Sequence, residues 1–433
     1  MNRLFRIGLA ILLLARLPLA PASAQLPPAR PEAVGMSSAR LARIPAAMRR
    51  FLEHSDVAGV VTLVARDGRL VELDTAGYRD AVSRSPMGRN TIFRIASMTK
   101  PVTSVAAMML VEEGRLRLGA PVSKYIPEFT NTKVWAGRPD SLVPAERPIT
   151  IHDLLTHRSG IIYGFIDTSA VGKAYRAAHV SDGVGDSLVP TEAENMTRLA
   201  AQPLAFQPGR EWRYSLSVDV LGRVVEVASG RSLAEFFRTR IFEPLRMQDT
   251  GFRVPDDKLS RLATTYTPEH DSLRAMADTD VFADGRLAMG KFGGPGTRGS
   301  STYFSGGAGL FSTAGDYLRF AQMLLNGGAL DGVRLLSPKT VQLMSADATG
   351  DLTNPVFGTP GVGFGLGFAV VRDLGASGAL GSTGAFSWGG ILGTSFWIDP
   401  KERLIGVMML QVFPNNHEMS ETFQALAYQA ITR

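Results

Sequence analysis

The chain has 433 residues, 45% apolar and 20% charged, enough to bury a sizeable core and to build two structural units. Its formal charge of +6 includes Arg3, Arg6 and Arg16 near the start, and no Lys/Arg run or stacked aromatic stripe follows, which excludes nucleic acid as an expected partner. With no cysteine there is no disulfide and no thiol nucleophile, and six histidines without tight ligand spacing give no metal site; no cofactor is expected.

Residues 1–24 have the form of a secretory signal peptide. Arg3 and Arg6 come first, then the apolar stretch 7–14, then Ala22-Ser23-Ala24 as a small-residue cleavage site. The apolar run is too short to cross a bilayer, so an exported protein, periplasmic or secreted, without a stable membrane anchor is expected. Residues 25–433 then form the working domain.

A Pro-rich lead-in is followed by a helical stretch at about 38–54. Residues 57–65 and 70–75 predict two strands around Arg66-Asp67-Gly68-Arg69, because Asp-Gly suits the positive φ angles of a tight hairpin turn. Next comes Ile95-Ala96-Ser97-Met98-Thr99-Lys100, and Val102, Val105, Ala106, Met109 and Leu110 recur after it at helical spacing, with Gly114 as the stop. Ser97 and Lys100, three apart, share one face of that helix. Further helices are expected at 151–156, at 220–228, after Ser232 with Leu233, Phe236 and Phe237 buried, and at 316–326. Residues 166–195 predict a polar surface excursion, and the glycine-rich stretch around Gly290–Gly296 a plain loop. Strands are expected at 367–371, 383–388, 394–398 and 404–410, then a last helix at 419–431.

The fold class is therefore α+β: one antiparallel sheet built from both chain ends (about 30–115 and 330–433), flanked by the first and last helices, with a mainly helical part (about 116–329) inserted.

A serine hydroxyl becomes a nucleophile only when its proton is removed, and a neighbouring lysine can do this if burial lowers its pKa. At a helix start the hydroxyl also sits beside backbone N–H groups and the positive end of the dipole. A serine there is equally an ordinary N-cap. One S-x-x-K among 31 Ser and 8 Lys is about what chance supplies, so the pair gains meaning only from the rest of the chain.

That rest resembles the serine β-lactamase and penicillin-binding-protein superfamily. Leu154-Leu155-Thr156-His157-Arg158-Ser159-Gly160, Pro208-Gly209 with Trp212-x-Tyr214-Ser215, and the run Gly307-Ala308-Gly309-Leu310-Phe311-Ser312-Thr313 are similar to its class C branch. Tyr163-Gly164-Phe165, Tyr214-Ser215-Leu216 with Asp219-Val220-Leu221-Gly222, and Trp388-Gly389-Gly390 resemble the family VIII carboxylesterases. The resemblance implies a β-lactamase/transpeptidase-like fold and a serine carboxylesterase acting on short- to medium-chain esters, with weak β-lactam hydrolysis as a side activity. It implies Ser97 as the acylated nucleophile, Lys100 as base or relay, Tyr214 as proton shuttle, and the N–H groups of Ser97 and Ile391 as oxyanion hole. Tyr163, Phe165, Leu216, Trp388, Gly389 and Gly390 would line the substrate site. β-Lactamases carry Tyr-x-Asn where this chain has Leu216, and Lys-Thr-Gly where it has Trp388-Gly389-Gly390. A β-lactamase, a D-amino-acid peptidase and a non-catalytic receptor for cell-wall peptide are the alternatives. His152 and His157, at a helix-loop junction, are expected to hold structure by hydrogen bonding. Oligomeric state is left open.

Overall fold

The structure, a computed structural model, describes residues 25–138, 141–183, 191–277, 280, 298–350, 352, 358–415 and 417–433. The leader at 1–24 and the glycines Gly290–Gly296 lie outside the described residues.

An eight-stranded antiparallel sheet draws on both ends of the chain. Its strands are β1 (Gly59–Arg66), β2 (Arg69–Asp80), β3 (Ser85–Pro86), β4 (Val362–Phe364), β5 (Ala369–Val371), β6 (Phe386–Gly389), β7 (Ser395–Asp399) and β8 (Leu404–Met409). Their order across the sheet is β4-β5-β6-β7-β8-β1-β2-β3. The β1–β2 turn is the expected two-residue one, with Asp67 at φ 52° and Gly68 at φ 72°.

Alternation along the central strands sends neighbouring side chains to two different cores. Val61, Leu63 and Ala65 of β1 with Ile405, Val407 and Met409 of β8 face the main core, whereas Val60 and Val64 with Leu404 and Met408 face the terminal helices Arg43–Glu53 and Glu418–Tyr428. The wholly buried β1 is thereby explained: both faces are covered. Gly406 leaves room for the Trp397 indole paired with it, since a Cβ there would lie 2.0 Å from the ring.

The helix Thr99–Glu112 is buried from Thr99 to Leu110 and packs against Ser217–Ser229. The helix Ala314–Leu325 lies on β8 and β1. All strands of the main sheet thus fall at 59–86 and 362–409, with the helix Ala314–Leu325 packed on them. Several details differ from the sequence expectations. The stretch expected as one helix at 38–54 is two, Ser38–Leu41 and Arg43–Glu53. The excursion at 166–195 contains the helix Ala170–Ala177, anchored by buried Val171 and Tyr175, and the start of Glu192–Ala200. Tyr266–Glu269 and Ser272–Ala275 form a small hairpin where only loop was expected.

Candidate active site

Ser97 lies in a single 3-10 turn, Ala96–Met98, that leads into the helix Thr99–Glu112. It caps neither element, so the ordinary N-cap reading fails. Every other residue from 91 to 110 is buried; Ser97 alone keeps part of its surface open. The preceding Ala96 adopts φ 44°, a left-handed conformation that non-glycine residues enter at a cost of about 1–3 kcal/mol, held here by its surroundings. Those surroundings are specific. Ile95 N–H donates to Leu310 O at 3.0 Å, the Tyr317 hydroxyl donates to Met98 O at 2.9 Å, and Leu310 N–H donates to Thr99 Oγ1 at 3.1 Å. The Gly307–Thr313 run singled out in the sequence is therefore the brace of the serine turn.

One turn on, Lys100 is completely buried. Its Nζ donates to Ser97 Oγ at 3.2 Å, to the Tyr163 hydroxyl at 2.9 Å and to Gly307 O at 2.9 Å. It also lies 4.5 Å from the centre of the Tyr214 ring. Burial pulls the ammonium down to a pKa of about 7, against the opposing charge of Asp219. Tyr214 moves the other way: burial pushes its phenol well up, only partly offset by Ser97 and Trp388 at its hydroxyl. Tyr163 is likewise pushed well up, chiefly by burial.

Aromatic rings wall this group. Tyr214 lies 5.3 Å from both Tyr163 and Trp388, Trp388 lies 5.2 Å from Phe364, and Phe165 is 5.1 Å from Tyr163. The structure therefore brings together Ser97, Lys100, Tyr163, Phe165, Tyr214 and Trp388. Leu216 has no exposed surface and packs in the core just before the helix Ser217–Ser229.

Gly389 ends β6, and that strand packs against the Ala96–Met98 turn. At Gly390 a Cβ would lie 2.5 Å from both Ile95 O and Thr394 Oγ1, so only glycine permits this approach to the serine turn. Next in the chain, half-buried Ile391 is fixed through its carbonyl, which accepts from Asn415 Nδ2 at 3.1 Å. Gly390→Ala is expected to lower kcat/KM on esters by about 10- to 100-fold while the protein still folds, because it shifts the turn carrying Ser97. Steady-state kinetics beside a thermal melt check this, and unchanged kinetics would show that the close approach has no bearing on the chemistry.

His157 is buried, with Nδ1 3.1 Å from Ser215 Oγ, and a hydroxyl chain continues through Ser217 to Ser159. Burial, then the nearby Lys100 charge, holds its pKa well below the usual range, so it stays neutral. Its backbone carbonyl accepts from Arg213 N–H at 3.0 Å, which ties the His157 loop to the Tyr214 segment. Two groups at the site escaped the sequence reading. Phe364 belongs to a strand that was not expected. Asp219 was seen only as part of a motif, although a lone carboxylate among Val218, Val220 and Leu221 on a buried helix face is itself a signal.

The comparisons with known proteins agree with this geometry. The family model described as Beta-lactamase matches residues 44–431. Protein Rv1367c of Mycobacterium tuberculosis is 39% identical over 382 residues, covering 86% of this chain and 90% of the relative. Esterase EstB of Burkholderia gladioli is 34% identical over 386 residues, covering 88% and 92%. Among solved structures, EstCE1, described as a hydrolase with promiscuous acyltransferase activity, superposes with a TM-score of 0.79 at 30% identity, covering 91% of this chain and 99% of that one. A matched family model over nearly the whole chain, full-length relatives and a shared architecture lead to one conclusion: the chain belongs to the beta-lactamase family, as a family VIII esterase of the serine β-lactamase and penicillin-binding-protein superfamily.

Proposed function

We propose that this protein is a serine carboxylesterase that hydrolyses neutral short- to medium-chain esters through an acyl-enzyme on Ser97. The observation that carries the reading is the buried Lys100 Nζ, 3.2 Å from the partly exposed Ser97 hydroxyl, with a pKa lowered to about 7. Neutral Lys100 takes the Ser97 proton as Oγ bonds to the ester carbonyl carbon. The N–H groups of Ser97 and Ile391 receive the oxyanion. As the carbon–alkoxide bond breaks, the proton passes by way of Tyr214 to the departing alkoxide, and a water molecule then cleaves the acyl-Ser97 ester by the reverse relay. Tyr214, whose phenol resists ionisation, suits a relay better than a base. EstB, 34% identical, is an esterase by name, which supports the substrate class.

The neutrality of the substrate follows from the walls. Where β-lactamases place a lysine, this chain has the Trp388 indole against Tyr214 and Phe364. A missing charged partner weakens binding of a carboxylate by roughly 1.5–3 kcal/mol, about ten- to a hundredfold, while an apolar acyl chain gains rings to pack on. Steady-state kcat/KM on p-nitrophenyl acetate, butyrate and octanoate is expected to exceed that on nitrocefin by at least about a hundredfold. Nitrocefin equal to the best ester would sink the ester assignment in favour of a β-lactamase. The leader-like residues 1–24 support export as the setting in which this activity operates. Among the described residues no helix is long and apolar enough to cross a membrane.

A further inference from the structure

Near Lys100 lies a second buried group. Asp219, on the helix Ser217–Ser229, has no exposed surface. Its Oδ1 accepts from Ser305 Oγ at 2.5 Å and from Gly307 N–H at 3.1 Å, while Lys100 donates to the carbonyl of the same Gly307. Gly307 therefore joins lysine and carboxylate: its N–H is spent on one and its C=O on the other. The seat is closely fitted. A Cβ at Gly307 would lie 2.2 Å from Asp219 Oδ2, and one at Gly183 would lie 2.5 Å from Ser305 Oγ and 3.0 Å from Asp219 Oδ1.

The groups around this carboxylate decide its charge. Lys100 comes from the helix Thr99–Glu112, Tyr163 and Asp182 from the loop side, Glu192 from the helix Glu192–Ala200, Tyr303 and Ser305 from the segment after residue 298, and Tyr214 from the turn before its own helix. Arg223 and Glu226 lie further along its own helix and act on Glu192. Two buried carboxyls that repel each other do not both ionise readily. Glu192 is raised well above its ordinary value, first by burial and then by Asp219. Asp219 is raised by burial but is opposed by Lys100, Ser305 and the Gly307 N–H. Of the two, Asp219 is the carboxyl whose charged form a buried lysine and two hydrogen-bond donors favour.

We propose that Asp219 is a positioning residue for the esterase chemistry: its carboxylate, held by the N–H of the residue whose carbonyl holds Lys100, is the buried counter-charge that sets the pH at which Lys100 can accept the Ser97 proton. The proposal rests on Lys100 acting as the base, as put forward above. Burial alone would lower the lysine further; an opposite charge on the other side of one residue holds it back, so that the ammonium can also re-form in the relay and return a proton to the leaving group. A purely structural Asp219 would give stability and leave this balance untouched.

The test is the pH dependence, on the full-length enzyme, of kcat/KM for p-nitrophenyl butyrate and of the rate at which a fluorophosphonate labels Ser97. Wild type, Asp219→Asn and Asp219→Ser are compared. The acid limb of both profiles is expected to move to lower pH by about one unit in either neutral variant, so that activity on the acid side, relative to the plateau, rises about tenfold. A limb that stays at the wild-type pH while the plateau or the melting temperature falls assigns Asp219 a structural role and overturns the proposal. Two variants guard against one that does not fold, and either suffices. Wild-type enzyme that labels with the same pH limb but turns over no ester removes the esterase reading while the variants still decide the role of Asp219.

Discussion

Ser97→Ala is expected to lower kcat/KM for p-nitrophenyl butyrate by about 10⁴-fold or more, to the level that binding and oxyanion contacts alone can supply. No other group could take over. The nearest hydroxyls, Tyr163 and Tyr214, belong to buried phenols whose ionisation burial opposes, and Ser215, Ser217 and Ser159 are buried and bonded to one another or to His157. Thermal unfolding should stay close to wild type, since Ser97 caps no helix and the hydrogen bond its hydroxyl accepts from Lys100 is long, at 3.2 Å. Intact-protein mass after fluorophosphonate treatment checks the assignment independently, because the variant should gain no adduct. An adduct on the variant, or activity within tenfold of wild type, would place the nucleophile elsewhere.

Lys100→Met should cost about 10²- to 10⁴-fold in kcat, the span usually seen when a proton-transfer group is removed. Methionine fills the same buried channel but donates nothing to Ser97, Tyr163 or the Gly307 carbonyl. The substitution also leaves Asp219 as a buried carboxylate without its opposite charge, so stability falls and rates are to be normalised to folded protein. The pH profile carries the sign. Lys100 is depressed from its ordinary value to about 7, so below that pH it is an ammonium unable to accept the Ser97 proton, and above it the free amine is available. Wild-type kcat/KM should therefore climb through an acid limb centred near pH 7, and the residual activity of the variant should lack that limb. A limb that survives in Lys100→Met would belong to another group, and the base assignment would fall with it.

Much of this site was open to reading from residues alone. The Ser97–Lys100 pair announced itself because the apolar residues behind it keep helical spacing, which fixes both side chains on one face. The Asp67-Gly68 turn and the alternating strands near the C-terminus gave the sheet, because a two-residue turn and a two-residue period are local properties. What depended on distant packing did not show. Leu216 was read from its place beside Tyr214, and its side chain packs in the core just before the helix Ser217–Ser229. Helix Ala314–Leu325 was placed in the helical part because sequence order puts it there; its packing on β8 and β1 joins residues far apart in the chain. Asp219 lies well over a hundred residues from Lys100, and nothing local states that a single residue, Gly307, will join them.

The central pairing of β1 with β8 has a consequence for how the molecule comes into being. Residues 61–66 find their partners at 404–409, and near the same seam Arg66 Nη1 donates to the carbonyls of Gly35 and Arg433. A chain emerging from the ribosome can close the β1–β2 hairpin early, but the other edge of β1, apolar on both faces, stays uncovered until almost the last strand has been made. For that interval it is a template for any other extended segment. No N-terminal fragment ending before Leu404 can complete the sheet, and truncated products should be inert and prone to aggregation rather than partly active.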